Sequence, residues 1–103
     1  MSRQVRILYA EFWAGLSVCG LEESAPAALP RGDERKALIA LAVKRETTVP
    51  LDWLVQRLQM GARSTVSRET AVVTQRLRTV RDLATRYQQI LSSAAATNEI
   101  FAI

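Results

Sequence analysis

No histidine occurs in these 103 residues, and that absence excludes more chemistry than any other. Without an imidazole there is no Ser-His-Asp or Cys-His pair and no histidine general base, and one cysteine cannot complete a zinc site by itself. That cysteine, Cys19, has no internal disulfide partner and lies in an apolar run. It reads as a buried thiol in a reducing compartment rather than a nucleophile. Glycine is scarce and scattered, at Gly15, Gly20, Gly32 and Gly61, so no glycine-rich phosphate loop exists. No stretch approaches the roughly eighteen apolar residues of a membrane span. Arg3 and Arg6 resemble the start of a signal peptide, but Glu11 breaks the apolar run behind them and no small-residue cleavage site closes it. The carboxylate neighbours Glu22 and Glu23, and Asp33 and Glu34, fall in loops or helix starts, where capping is their ordinary role. The expectation is a soluble, cytoplasmic, bacterial-type protein that is not an enzyme, with no cofactor, no metal, no small-molecule substrate and no membrane.

What is present is helix. Hydrophobic residues make up 49% and charged residues 23%, the balance of one modest globular domain over residues 1–103. Val5, Leu8, Tyr9, Phe12, Leu16 and Cys19 recur at helical spacing behind a possible cap, Ser2. Trp13 widens that apolar face, either as core or as part of a subunit interface. Residues 21–32, LEESAPAALPRG, read as a connecting loop with room for one short turn. Asp33 then caps a helix to about Arg45, with Leu38, Leu41 and Ala42 inward, and Thr47, Thr48 and Pro50 mark its end.

Residues 51–68, LDWLVQRLQMGARSTVSR, carry the most information. Leu51, Leu54 and Leu58, with Trp53 beside them, form one helix. Gly61 supplies a left-handed residue for a tight reversal, and a second helix follows with Val66 turned inward. A helix-turn-helix core over 33–70 places the start of its second helix at base edges in a major groove. Arg63, Ser64, Thr65, Ser67 and Arg68 project from that start as candidate DNA contacts, and Arg76 and Arg81 as contacts to flanking phosphates. Charge agrees: residues 1–62 hold eight basic and seven acidic groups, whereas residues 63–103 hold six arginines and three acids. A solvated helix face is the plainer account of those arginines.

From Ser64 to about Ser92 no proline or glycine intervenes, which predicts one helix of about 40 Å at 1.5 Å per residue. Its apolar positions Val66, Val73, Leu77, Val80, Ala84, Tyr87 and Leu91 keep heptad spacing. Such a seam, at Val73, Leu77, Val80, Ala84, Tyr87 and Leu91, packs back on the first helix or forms a homodimer interface. The tail ends in apolar Ile100, Phe101 and Ile103. The predicted class is all-α, a helix-turn-helix bundle of about four helices with a long C-terminal one.

Four pieces of the chain, taken together, resemble a known family. They are Gly15-Leu16 with Cys19-Gly20-Leu21, LPRGDERK from Leu29 to Lys36, RETTVPLDWL from Arg45 to Leu54, and QRLQMG from Gln56 to Gly61. They look like the C-terminal tail of bacterial REP-associated tyrosine transposases, over about half of the chain. The resemblance implies a helix-turn-helix-type module that associates with DNA, duplex or hairpin. It does not carry over strand cleavage, because the family's catalytic domain uses a His-hydrophobic-His metal motif and a tyrosine nucleophile. This chain has no histidine and only Tyr9 and Tyr87. Two further departures concern docking: Val55 stands where such units favour alanine, and Leu58 to Val66 is one residue longer than the common spacing. The alternative is a helical protein-interaction module that dimerises, or binds a transposase or other protein, through the C-terminal helix.

Overall fold

The computed structural model describes residues 3–102, so the expected cap Ser2 and the tail side chains Ile100, Phe101 and Ile103 lie outside the description. Six helices follow one another among the described residues: α1 (Arg3–Val18), α2 (Ala25–Ala28), α3 (Glu34–Glu46), α4 (Leu51–Leu58), α5 (Arg63–Arg76) and α6 (Arg81–Ala102). The all-α class is as expected; the count exceeds four because the 21–32 loop holds the one-turn α2 and the long C-terminal helix is two helices. No described helix is long and apolar enough to cross a membrane.

α3 is the axis of the molecule. Asp33 caps it as predicted, accepting the Arg35 backbone N–H at 2.9 Å. Thr47 closes the other end by donating its hydroxyl to the Val43 carbonyl at 2.8 Å. Sequence periodicity turned only Leu38, Leu41 and Ala42 inward, but every residue from Lys36 to Val43 is buried. A helix wrapped on all sides needs no polar face, and the run KALIALAV provides none apart from Lys36. One side of α3, through Ala37, Leu38, Leu41 and Ala42, meets Ala10 and Ala14 of α1, Val73 of α5, and Leu83, Tyr87, Ile90 and Ala94 of α6. The other, through Ile39, Ala40 and Val43, meets Leu8, Phe12 and Leu16 of α1, Leu54 and Leu58 of α4, Met60 and Val66. Gly15 makes this possible, because a Cβ there would come within 2.7 Å of the Ile39 side chain.

The uninterrupted helix from Ser64 to Ser92 does not exist. α5 ends at Arg76, and the chain turns through residues 77–80 before α6 begins at Arg81. There the amides of Arg78 and Thr79 bond to Gln75 and Arg76, one residue nearer than in an α-helix. The reason is burial rather than a breaker residue. A single helix from 63 to 102 would measure about 60 Å, against a longest molecular dimension of 37 Å. Turning lets Leu83, Tyr87, Ile90 and Ala94 bury against α1 and α3. At about 1.5–3 kcal/mol per large apolar side chain, that outweighs two tightened hydrogen bonds.

The break also moves the seam. The inward line of α6 is Leu83, Tyr87, Ile90 and Ala94, whereas Ala84 is half-buried and Leu77, Val80 and Leu91 pack at the margin of the core. Val73 and Tyr87 are buried within their own chain. Of the two expectations for this seam, packing back on its own chain or pairing with a second copy, the structure has the first at Val73, Leu77, Val80, Tyr87 and Leu91, which lie in or against the chain's own core.

Candidate nucleic-acid interface

α4 and α5 are joined by residues 59–62, and local chemistry explains the reversal. The Val55 carbonyl accepts the Met60 amide at 3.0 Å. Gln59 is left-handed at φ 53°, and Gly61 again at φ 87°. Gly61 plays the role expected of it, while Gln59 shares the reversal unannounced by its residue type. Ala62 is extended, and its carbonyl accepts the amides of Thr65 and Val66 to start α5. Leu54, Leu58, Met60 and Val66 are fully buried beneath the turn.

One side chain pins this turn to the rest of the molecule. Lys36 is fully buried, and its ammonium donates to the Gln59 carbonyl at 2.9 Å and the Leu29 carbonyl at 3.1 Å. Burial lowers its pKa, Asp33 opposes that, and Arg31 adds to it. Two carbonyls aimed at the ammonium compensate a charge that burial would otherwise disfavour. Arg31 crosses above Gly61, where an added Cβ would lie 2.7 Å from its Cδ.

The inner line of α5 is Val66, Thr70 and Val73. Thr70 and Thr74 each donate a hydroxyl to a carbonyl one turn back, at 2.7 Å. The opposite face is exposed: Ser64, Arg68, Ala71, Val72 and Gln75 stand at helical spacing, with Val72 at 48% exposure.

The expected contact residues divide on this frame. Ser64, Ser67 and Arg68 are exposed on α5, and Thr65 is half-buried. Arg68 reaches its neighbour Glu69 at 3.3 Å, a weak surface pairing. Arg63 turns back to α4, where Nε and Nη2 fork onto the Asp52 carboxylate, with Nε–Oδ1 at 2.7 Å. That pair lowers the Asp52 pKa and raises that of Arg63. Arg76 pairs with Glu34 at the start of α3. Arg81 lies across the break, exposed in the first turn of α6. α5 thus brings together Ser64, Ser67 and Arg68, and holds Arg63 and Arg76 in pairs of their own.

Sequence reasoning passed over Lys44, Arg45, Val72 and Gln75. The first two close α3, where basic residues are the default at a helix C-terminus. They rim a cleft of about 310 Å3 between α3 and α5, with Ser67, Thr70, Ala71 and Thr74 on the other wall. The only signal for it was the adjacent pair Lys44-Arg45. On the far side of the molecule the aromatics gather between α1 and α4. Arg57 lies over Phe12, Trp53 and Tyr9 with centroid distances of 5.0, 5.5 and 6.0 Å, and Trp13 is 44% exposed beside Phe12. No cluster of three or more metal-binding side chains occurs among the described residues. Comparison of the chain with family models, with curated proteins and with solved structures finds no match.

Proposed function

We propose that this chain is a DNA-binding module of helix-turn-helix type, transposase-derived, that associates with duplex or hairpin DNA and does not cleave it. The observation that carries the reading is the outer face of α5. Ser64, Arg68, Ala71, Val72 and Gln75 form a stripe with no cover from the chain itself, on a helix whose start is fixed by the buried Lys36 clip. Arginine forks onto guanine, glutamine onto adenine, and a small or branched apolar side chain meets the thymine methyl group. The stripe offers one of each in Arg68, Gln75 and Val72. The α4–turn–α5 geometry and the resemblance of residues 15–61 to a transposase tail support the same reading.

Against the competing account, a clasp through the C-terminal helix, stands the packing of five of its six seam residues, Val73, Leu77, Val80, Tyr87 and Leu91, in or against the chain's own core. A two-fold pair of these modules would join through another face. Arg63, occupied by Asp52, contributes less than Arg68. The test is fluorescence anisotropy on duplex and hairpin DNA at low salt, with Arg68→Ala alongside. The expected loss for Arg68→Ala is about 1–3 kcal/mol. Unchanged affinity in that variant would remove Arg68 from the interface, and no binding by the native chain would overturn the reading itself.

A further inference from the structure

At the C-terminal end of α3 two neighbouring basic side chains, Lys44 and Arg45, stand without an ion pair among the described residues. Lys44 makes no ion pair and no hydrogen bond among the described residues. Arg45 makes one, from Nη1 to the Tyr87 hydroxyl at 3.4 Å, and its guanidinium lies 5.7 Å from the centre of that ring. Tyr87 is itself buried in the core, which raises its pKa and keeps the phenol neutral. Arg45 is therefore held in place without being neutralised, and Nε and Nη2 remain as donors. Glu46, the next residue, is close enough to Glu11 to raise that residue's pKa, and does not line the cleft.

The cleft itself has a defined donor set. Its α5 wall carries the small Ala71 between Ser67 and Thr74, and its volume is about 310 Å3. Thr70 and Thr74 have committed their hydroxyl protons to backbone carbonyls, so they can only accept. Ser67 has no side-chain bond among the described residues and remains a donor. Lys44 and Arg45 thus bring cationic donors to this space and Ser67 a hydroxyl that can donate, and a phosphate oxygen is the group complementary to them.

We infer that this cleft seats a backbone phosphate of the nucleic-acid strand whose bases lie along α5. The inference rests on the DNA reading above and adds to it a fixed anchor beside the reading face. A phosphate contact positions the helix without carrying sequence information. Loss of the anchor therefore weakens binding equally on all sequences, and it lowers the salt dependence by about 0.9 in the log–log slope per charge removed from duplex binding.

The experiment has two arms. In the first, duplex affinity is measured across a salt series for the native chain, Lys44→Gln, Lys44→Arg and Arg45→Gln. The expected result is a slope reduced by about one in each Gln variant and retained in Lys44→Arg. Lys44 is exposed at the rim, so its variants keep the fold even where Arg45→Gln disturbs Tyr87. In the second arm, inorganic phosphate is titrated and the amides of Ser67 and Thr74 are followed by NMR, in the native chain and in Lys44→Gln. Shifts that vanish in Lys44→Gln establish a phosphate seat in the cleft; if the chain nonetheless binds no DNA, the DNA reading falls and the assignment of that phosphate to a nucleic-acid strand falls with it. A native slope in both Gln variants, with the chain still binding DNA, overturns the anchor and leaves the α5 reading intact. If the chain binds no DNA and phosphate shifts neither amide, both fall together.

Discussion

The two ends of α3 manage their charges in opposite ways. At the N-terminal end every ionisable group has a partner. Asp33 takes the Arg35 amide and guanidinium, which pulls its carboxyl below the ordinary range. Glu34 meets Arg76, and Lys36 meets two carbonyls. At the C-terminal end, among the described residues, Lys44 has no partner, Arg45 has only a phenol, and Glu11 on α1 is buried with Oε2 unbonded. The first end holds the α4–α5 turn in place, and satisfied polar groups are what a structural joint requires. The second lies beside the exposed flank of α5 and is left with unmet donors and a proton to exchange. Architecture and proposed function thus sit at opposite ends of one helix.

The comparison breaks most visibly at Lys36. Lys36→Met keeps the length of the side chain but leaves the Leu29 and Gln59 carbonyls without donors. At about 1–3 kcal/mol for each unsatisfied group, partly offset because no charge is buried, the expected loss is about 2–4 kcal/mol. Chemical denaturation reads this as a lower midpoint, and hydrogen exchange should show the 59–62 turn opening first. A midpoint unmoved by the substitution would mean that the clip holds nothing.

Glu11 sharpens the other side. Its pKa is raised from 4.5 to about 7, first by burial and second by Glu46. Below pH 4.5 the group is neutral in both folded and unfolded chains and imposes no penalty. As pH rises from 4.5 through 7 the unfolded chain ionises first, so this group's contribution to stability falls, by on the order of 3 kcal/mol in full. Glu11→Gln should therefore match the native chain near pH 4 and exceed it near pH 8. Parallel stability profiles for the two proteins would show that Glu11 does not titrate in this window.

The smallest effect is expected at the satisfied end. Arg76 and Glu34 are both substantially exposed, and a surface pair of this kind contributes about 0–1 kcal/mol. Arg76→Gln should change stability by less than about 0.5 kcal/mol and leave the salt dependence of DNA binding near native. A salt slope that fell as far as in Lys44→Gln would erase the distinction between the two ends.

Much of this molecule can be read along the chain, and the rest fails for identifiable reasons. The helical class, the Asp33 cap and the left-handed Gly61 come from local chemistry, and the structure has all three. The break at 77–80 has no proline or glycine to announce it, because it is imposed by what Leu83 and Ile90 bury elsewhere. The heptad pattern left its partner open, the first helix or a second copy, for the same reason: periodicity shows which side is apolar and is silent on what covers it. Gln59 adopts a conformation its type rarely signals. At the candidate interface, Ser64, Ser67 and Arg68 were legible from their place at a helix start. Arg63 was legible as basic, but its pairing with Asp52 depends on where α4 lies. Lys44 and Arg45 were hidden because two basic residues ending a helix look like dipole compensation until a second helix is laid across them.

The most direct test of the account is a salt series on the intact chain with duplex and hairpin DNA, run beside Lys44→Gln and Arg76→Gln. The account predicts affinity that falls linearly in log–log form with salt, with the slope reduced in Lys44→Gln and unchanged in Arg76→Gln. An intact chain that binds neither DNA at low salt would contradict it.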